Sequence, residues 1–276
     1  MALSLGRLIS KVSTRLLRYF TAMIYAFILV PAAFVILMSF HPAVIPTFPP
    51  PSVTFKWYIE LARDIRLVKA VSNSLIVGIS ATILAGIIGT MTSIGLVRYR
   101  FRGRETLSAL VIAPMVFPEI ILGASLLTFM LRILALPLSR YSYLYMIVGH
   151  TVFILPYVIM NVHARVYGLD RSLEEAAMNL GANPVQTFGQ VTLPLILPSI
   201  LSGMLLAFAM SLDDYTASQF WVMPQTETIP VRIFSALRTE LPPTINALAT
   251  LLILTTLLLF YLQVMVSRRV SLRTGR

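Results

Sequence analysis

Residues 71–97, VSNSLIVGISATILAGIIGTMTSIGLV, decide the fold, because this run carries no charged side chain. At about 1.5 Å of rise per residue, a helix of this length crosses the roughly 30 Å hydrocarbon core of a bilayer. Its small residues repeat at intervals of four, Gly86 with Thr90 and Gly89 with Ser93. This spacing lets neighbouring helices approach closely, so the sequence predicts a membrane-spanning helix inside a bundle.

The rest of the chain has the same apolar character. Hydrophobic residues make up 57% of its 276 residues, charged residues only 12%, and the mean hydropathy is +0.83. A soluble domain carries about 25% charged residues. We therefore predict an all-α polytopic membrane protein, a single domain over residues 1–276, with six spans. They lie at about 20–40, 71–97, 106–131, 144–163, 193–212 and 245–266.

Basic residues precede the first span, as they do in a signal peptide. The apolar run is too long for a signal core and lacks a small-residue cleavage pattern, so we predict a retained first helix. With six spans, both termini and the 98–105 and 164–192 loops lie on one side. That side holds 14 of the 22 lysines and arginines, so we predict that both termini are cytoplasmic. These cations are Arg7, Lys11, Arg15, Arg18, Arg98, Arg100, Arg102, Arg104, Arg165, Arg171, Arg268, Arg269, Arg273 and Arg276.

The same distribution of cations accounts for the formal net charge of +11. Because the arginines flank apolar runs, the basic balance needs no partner besides membrane lipid, and we predict no nucleic-acid binding. The chain contains no cysteine, which excludes disulfides and thiolate metal sites. His41, His150 and His163 are scattered along the chain, so we predict no metal site.

On the opposite side of the membrane, a proline-rich stretch at 42–51 cannot be helical throughout. A short helix is predicted after it, near residues 55–67. We expect this helix to lie at the membrane interface through Trp57 and Tyr58, because amphipathic aromatic rings are typical of that position.

The segment DRSLEEAAMNLGANPVQTFGQVTLPLILP, residues 170–198, contains the strongest functional signal. Ser172 is a suitable N-cap, and Glu175, three residues later, completes a capping box. Gly181 suits a left-handed stop, and Asn183 caps a second helix that begins with a proline. The sequence therefore predicts helix, glycine turn and short helix on the cytoplasmic side. From these residues alone, the unit is equally compatible with a folded interfacial loop.

The triplet EAA at 175–177, Gly181, and LP at 193–194 resemble the EAA loop of ABC-importer permeases, with Val191 where the family pattern has isoleucine. The resemblance implies that this loop, residues 170–194, docks into a cleft on an ATPase subunit. It also implies that the glutamate faces the ATPase, the alanines allow close approach and the glycine makes the turn. The implied coupling residues are Glu174, Glu175, Ala176, Ala177, Leu180 and Gly181.

The chain lacks the phosphate-binding loop of ATPases, which requires Gly-Lys-Ser/Thr. Its only lysines are Lys11, Lys56 and Lys69, and none follows a glycine. We therefore predict a non-catalytic transport subunit, with no catalytic residue and no cofactor of its own. ATP and Mg²⁺ are expected on a separate ATPase subunit.

Further motifs across essentially the whole chain resemble the spermidine/putrescine permease family. They are KWY at 56–58, RYRFRG at 98–103, PEIILG at 118–123, SLDDY at 211–215 and NALAT at 246–250. The resemblance implies a type I ABC importer of the bacterial inner (cytoplasmic) membrane that carries a polyamine such as spermidine or putrescine. The implied partners are two ATP-binding subunits, a homologous second permease and an extracytoplasmic solute-binding protein.

The acidic positions fit a cationic cargo. Glu119 lies mid-span, where a charge costs at least about 2.5 kcal/mol, so it should face protein or water. Pro114 and Pro118 favour a broken helix around it. Carboxylates can pair with ammonium groups, and aromatic faces add cation–π attraction. Asp213 and Asp214 close the fifth span near the outer face. The alternative is that Glu119 is a structural partner and that the two aspartates form a solvated helix end. The predicted substrate-pathway residues are Asp213, Asp214, Tyr215, Glu119 and Trp221.

Other cargoes and other classes of protein stay open at this point. In importers of this kind specificity resides largely in the binding protein, so the same architecture could carry an amino-acid-like compound, an aminophosphonate or ferric iron. An ion-coupled secondary carrier is usually built from inverted repeats, which are not evident in the sequence. A membrane-embedded enzyme needs clustered catalytic residues, whereas Glu119 and His150 are isolated along the chain.

Overall fold

The structure, a computed structural model, describes residues 2–45, 47–239 and 242–274. Over these ranges the chain forms helices and turns without a β-strand, and the predicted all-α class is confirmed. Two short π-helical turns lie at Phe129–Ile133 and at Phe188–Thr192. In chain order the α-helices are α1 (Ala2–Met38), α2 (Lys56–Arg63), α3 (Ile65–Arg98), α4 (Arg104–Val116), α5 (Glu119–Thr128), α6 (Leu138–Tyr167), α7 (Ser172–Asn179), α8 (Pro184–Thr187), α9 (Leu193–Asp213), α10 (Ile229–Thr239) and α11 (Pro243–Thr274).

Most of the predicted spans coincide with one long apolar helix each. The third span, predicted at 106–131, does not, because α4 and α5 are bent by 111° relative to each other. The broken helix expected at Pro118 is confirmed, and the bent pair occupies the predicted third span. Phe117 is extended, since a following proline disfavours helical backbone, and Pro118 itself has no N–H to donate. The five unbroken spans are Leu16–Met38, Ile65–Arg98, Leu138–Tyr167, Pro184–Asp213 and Pro243–Arg268, and the bent pair counted as one span makes six.

Helix α3 lies at the centre of the bundle and packs on α6 and α9. Small residues permit this approach, since a Cβ added to Gly89 would lie 3.0 Å from Val158. Across the same contact, Ser93 donates its hydroxyl to the carbonyl of Ile159 at 3.1 Å. The close packing predicted from the spacing of Gly89 and Ser93 is confirmed.

Helices α1 and α11 lie at the edge of the bundle and pack on each other. The apolar window of α1 buries none of its residues within this chain, and that of α11 buries only 6%. Such large apolar faces are unfavourable in water, so lipid or a partner helix must cover them.

The two ends of the bundle differ in charge. At one end, called the cation end below, α3 finishes and α7 lies beside it, joined by an ion pair of 3.1 Å between Arg98 and Glu174. Some of the cations predicted for this side are not described by the structure. Arg276 lies outside the described residues, as do the side chains of Arg7, Lys11, Arg15, Arg269 and Arg273.

At the opposite end, the described prolines after α1, at 42 and 49–51, are not helical, and α2 follows at Lys56–Arg63, as predicted. Trp57 is buried rather than interfacial, and its indole N–H donates to the carbonyl of His41 at 2.6 Å. The predicted interfacial position of Trp57 is therefore wrong, because α2 packs against α3 and α11 and covers the ring.

Candidate functional site

The cytoplasmic loop predicted from the sequence is a helix–turn–helix unit at the cation end. Helix α7 ends near Gly181, whose φ of +95° lies in the left-handed region that favours glycine. Asn183 then caps α8: it accepts from the backbone N–H of Gln186 at 2.9 Å, and the Gln186 side chain accepts from the N–H of Asn183 at 2.9 Å. The predicted glycine stop and second helix are confirmed.

The start of α7 differs from the prediction. Ser172 is already helical, and its backbone N–H donates to Asp170 Oδ1 at 2.9 Å. The expected capping box between Ser172 and Glu175 is therefore wrong. A carboxylate is a stronger acceptor than a hydroxyl, and it complements the positive end of the helix dipole. The same hydrogen bond lowers the pKa of the Asp170 carboxyl below its ordinary value.

Glu174 points into the chain. Its Oε1 lies 3.1 Å from Arg98 Nη2 and accepts from the Thr192 hydroxyl at 2.9 Å. Both charged side chains are about 15% exposed. One carboxylate thus joins α7 to the end of α3 and to the turn that leads into α9, so the loop is anchored to two long helices.

The other coupling residues predicted for α7 lie on the accessible side of the loop. Glu175 and Ala176 are exposed, Ala177 is half-buried, and Leu180 is 90% exposed. Val185 on α8 is also exposed. The loop therefore leaves a carboxylate, small residues and large apolar side chains accessible, a composition that matches a protein-docking site.

At the opposite end of the bundle, Asp214 is buried inside the chain. Its carboxylate accepts from the backbone N–H groups of Ala217 (3.1 Å) and Ser218 (3.0 Å) and from the Ser218 hydroxyl (2.8 Å). His150 Nε2 lies 3.7 Å from it, and the two His150 ring nitrogens are 2.7 Å from the Ser211 hydroxyl and 2.8 Å from that of Ser218. Sequence reasoning missed this network, although polar residues inside apolar helices were a signal for it.

Trp221 is buried against the same network. It is 1% exposed, and its indole N–H donates to the carbonyl of Gly123 at 2.9 Å. A Cβ added to Gly149 would lie only 2.2 Å from the Trp221 ring, so only glycine leaves room for it. Asp214 and Trp221, both predicted for the substrate pathway, hold the loop after α9 in place.

The remaining predicted pathway residues are more accessible. Asp213 is exposed, and the Tyr215 ring stacks on Phe234 with a centroid distance of 4.0 Å. Glu119 is half-buried and begins α5 directly after the bend. Within the described ranges, no group of three or more histidine, aspartate or glutamate side chains is placed to hold a metal ion.

A helical membrane bundle with a helix–glycine–helix loop at one end is the architecture expected of an importer permease, and comparison with known proteins identifies the family. Residues 78–272 match the family described as the binding-protein-dependent transport system inner membrane component. The chain belongs to this family and is a multi-pass membrane permease subunit of an importer.

Relatives within the family align with most of this chain. The putrescine transport system permease protein PotI of Escherichia coli K12 is 42% identical over 202 residues, which are 72% of this chain and 72% of the relative. The spermidine/putrescine transport system permease protein PotC of Haemophilus influenzae is 37% identical over 216 residues, 78% of this chain and 82% of the relative. PotC of Escherichia coli K12 is 33% identical over 255 residues, 92% of this chain and 95% of the relative.

Solved structures support the fold. A chain of a bacterial ABC transporter that imports the acidic polysaccharide alginate superimposes with a TM-score of 0.69 and 16% identity, covering 91% of this chain and 95% of that one. A chain of the inward-facing MetNI methionine ABC transporter gives a TM-score of 0.56 and 20% identity, covering 74% of this chain and 95% of that one. At these identities the likeness establishes the architecture.

Proposed function

We propose that this permease forms part of an ATP-driven importer for a small cationic amine of the polyamine class in a bacterial inner membrane. The observation that supports the cargo most directly is the 42% identity to a permease named for putrescine transport. The observation that supports ATP coupling is the α7–Gly181–α8 loop, which projects from the cation end.

ATP and Mg²⁺ bind to a partner ATPase in this proposal, because the chain has no glycine-lysine phosphate loop. The ATPase cleft receives the exposed side of α7, where Glu175 and Leu180 lie. The small side chains of Ala176 and Ala177 let the two backbones approach. Glu174 does not serve as a docking residue, since its carboxylate is used by Arg98 and Thr192.

The contacts of Glu174 supply a route for mechanical coupling. When two ATPase subunits close around ATP, they displace α7, and the Arg98–Glu174–Thr192 contacts transmit that displacement to α3 and α9. The permease and its homologous partner then shift between inward-open and outward-open states, because nucleotide binding favours one of them. An extracytoplasmic binding protein delivers the cargo to the opposite end of the bundle.

The cargo passes the opposite end near Asp213 in this scheme. An exposed carboxylate pairs with an ammonium group, and the neighbouring Tyr215 ring adds an aromatic surface. The Phe234 ring on which Tyr215 stacks already has the Arg238 guanidinium 4.7 Å from its centroid. Glu119 at the bend is a second acidic position along the pathway. Asp214 and Trp221 act indirectly by fixing the loop that carries them.

The docking assignment is tested by ATP-stimulated uptake in proteoliposomes that contain the complete transporter. Glu175→Lys and Gly181→Pro should each abolish most of the uptake, and Glu175→Lys should also reduce co-purification of the ATPase. Glu105→Lys makes the same exchange at an exposed position of the same end, outside the loop at 170–194, and is the matched control. Normal uptake with either of the first two changes contradicts the docking role.

The cargo is tested separately, with the cognate binding protein and radiolabelled putrescine and spermidine. We expect saturable uptake of at least one polyamine, a lower rate for Asp213→Asn, and no competition by neutral amino acids. Uptake that is competed by an amino acid, an aminophosphonate or ferric iron, and not by polyamines, overturns the cargo while leaving the importer assignment intact.

A further inference from the structure

A two-part cavity opens at the cation end, between the end of α3, the start of α4 and the last turns of α6. The first part has a volume of about 680 Å³ and is lined by charged and polar side chains, among them Arg100, Arg104 and His163. The second part, about 210 Å³, is lined mainly by apolar side chains such as Val111 and Ile159.

The two parts adjoin each other, since Leu96, Ser108 and His163 line both of them. The lining therefore changes from charged to apolar along the furrow between α4 and α6. A ligand that fills both parts needs a polar head and an apolar tail.

The charges in the polar part favour an anionic head. Arg100 and Arg104 contribute two positive charges, and Glu105 contributes one negative charge. Neither guanidinium forms an ion pair or hydrogen bond with another residue of the described ranges. Guanidinium groups bind phosphate oxygens in a bidentate manner, and a net charge of one matches a single phosphodiester.

The apolar part exists because α4 packs loosely. Within the described structure α4 buries no side chain, although it lies against α6. In a membrane an apolar gap between helices is favourably filled by hydrocarbon and not by water. Inorganic phosphate would occupy the polar part alone and leave this furrow empty.

We propose that the cavity binds one anionic phospholipid, with its phosphate between Arg100 and Arg104 and one acyl chain in the furrow between α4 and α6. Basic pockets between membrane helices at the cytoplasmic level are suited to such head groups. The lipid would hold α4, the half of the bent span nearest the cation end, against α6.

The test measures lipid binding by the full-length chain, purified in detergent and delipidated. Native mass spectrometry counts the phosphatidylglycerol molecules that remain bound, and thermal unfolding measures the stabilisation by added lipid. Phosphatidylcholine with the same acyl chains and inorganic phosphate are the comparison probes. We expect phosphatidylglycerol to raise the melting temperature at a lower concentration than either of them.

Different variants test the binding of the lipid head group and the binding of its acyl chain separately. Arg100→Gln and Arg104→Gln should each weaken phosphatidylglycerol binding about fivefold, the effect expected for one basic residue near an anionic head group. Ala164→Leu narrows the apolar part and should weaken binding with both guanidiniums in place. Arg102→Gln is the matched control, because Arg102 is exposed in the same connection and lines neither part.

Four outcomes overturn the proposal. If both arginine variants bind phosphatidylglycerol with wild-type affinity, the phosphate site is contradicted. If Ala164→Leu binds it with wild-type affinity, the acyl-chain site is contradicted. Equal stabilisation by inorganic phosphate reduces the cavity to a free-anion site. If phosphatidylcholine stabilises the protein as much as phosphatidylglycerol does, the cavity does not select an anionic lipid. If one arginine variant does not fold, the other and Ala164→Leu still decide.

Discussion

Two pairs of adjacent carboxylates lie at opposite ends of the bundle, and each pair is divided in the same way. At the cation end Glu174 points into the chain and Glu175 is exposed, whereas at the other end Asp214 is buried and Asp213 is exposed. Glu174 and Glu175 are neighbours on α7, where successive side chains point about 100° apart. Asp213 ends α9 and Asp214 follows it in extended backbone, which turns the second carboxylate away from the first. Each pair therefore combines a structural carboxylate with an available one.

The two inward carboxylates are held by different partners. Glu174 pairs with the permanent charge of Arg98 and remains in partial contact with solvent. Asp214 is held mainly by neutral donors, two backbone N–H groups and the Ser218 hydroxyl, in a buried position. A partly solvated ion pair contributes modestly and can be exchanged for water, while loss of a buried acceptor leaves several donors unsatisfied. We infer that the coupling loop is the element built to move and the Asp214 loop the element built to stay in place.

The largest expected effect is at the buried carboxylate. Asp214→Ala should lower the free energy of unfolding by about 3 kcal/mol, because two backbone N–H groups and a hydroxyl lose their acceptor. Asp213→Asn, one residue away and exposed, should change stability by less than about 0.5 kcal/mol. Thermal or denaturant unfolding in detergent measures both, and equal stability of the two variants would contradict the contrast.

The ion pair at the cation end should show a smaller and recoverable effect. Arg98→Glu or Glu174→Arg alone should destabilise the loop by about 1–2 kcal/mol and uncouple ATP hydrolysis from uptake, because the remaining charge loses its partner. The double exchange restores opposite charges and should recover part of the coupling. The ratio of solute imported to ATP hydrolysed is the measurement, and a double variant as impaired as the worse single variant counts against the transmission route.

Gly181 should show a still smaller effect, confined to the coupling loop. At a φ of +95°, Gly181→Ala adds about 1 kcal/mol of backbone strain, since nothing within 4 Å obstructs the added Cβ. Gly189→Ala is the control, because it is equally unobstructed but does not have a positive φ. Hydrogen exchange of the α7–α8 amides should accelerate in Gly181→Ala and not in Gly189→Ala. Identical exchange rates in the two variants would contradict the conformational role of Gly181.

The smallest expected effect is the acid dependence of the start of α7. The lowered pKa of Asp170 means that its hydrogen bond to Ser172 stabilises the loop above the ordinary pKa of 3.8. That contribution is lost as the pH falls through the lower pKa of the folded state. Melting temperatures of the wild type and Asp170→Asn should differ near neutral pH and converge on acidification, and a difference that persists at pH 2 contradicts this role for Asp170.

The coupling loop could be predicted from the sequence because local interactions form it. The Gly181 stop and the Asn183–Gln186 box depend on residues a few positions apart. The one local error, Ser172 as the N-cap, arose because Asp170 lies two residues earlier and is the stronger acceptor. The family motif at 175–177 has the same local character.

The opposite end could not be predicted in the same way. The contact between His150 and Ser218 joins residues 68 apart in the chain, and that between Trp221 and Gly123 joins residues 98 apart. A sequence pattern shows that Asp214 and Trp221 are present, but the side to which each points depends on these distant partners. Their place in the sequence predicts a pathway role, and the fold adds that both side chains are buried within the chain.

The sequence by itself determined that this protein is an all-α membrane permease, where its spans lie and which loop projects from it. Apolar length and local capping suffice for the spans and the loop, because the energy of a membrane helix depends on its own residues and the surrounding lipid. The permease class came from the resemblance of the EAA loop and the other motifs to a known family. Only the tertiary structure decided the 111° bend between α4 and α5, the burial of Asp214 and Trp221, and the inward turn of Glu174 toward Arg98. Pro118 specifies only that the helix breaks. The angle of the bend and the direction of each of these side chains depend on packing and hydrogen bonding between helices, which residues within one helix do not specify.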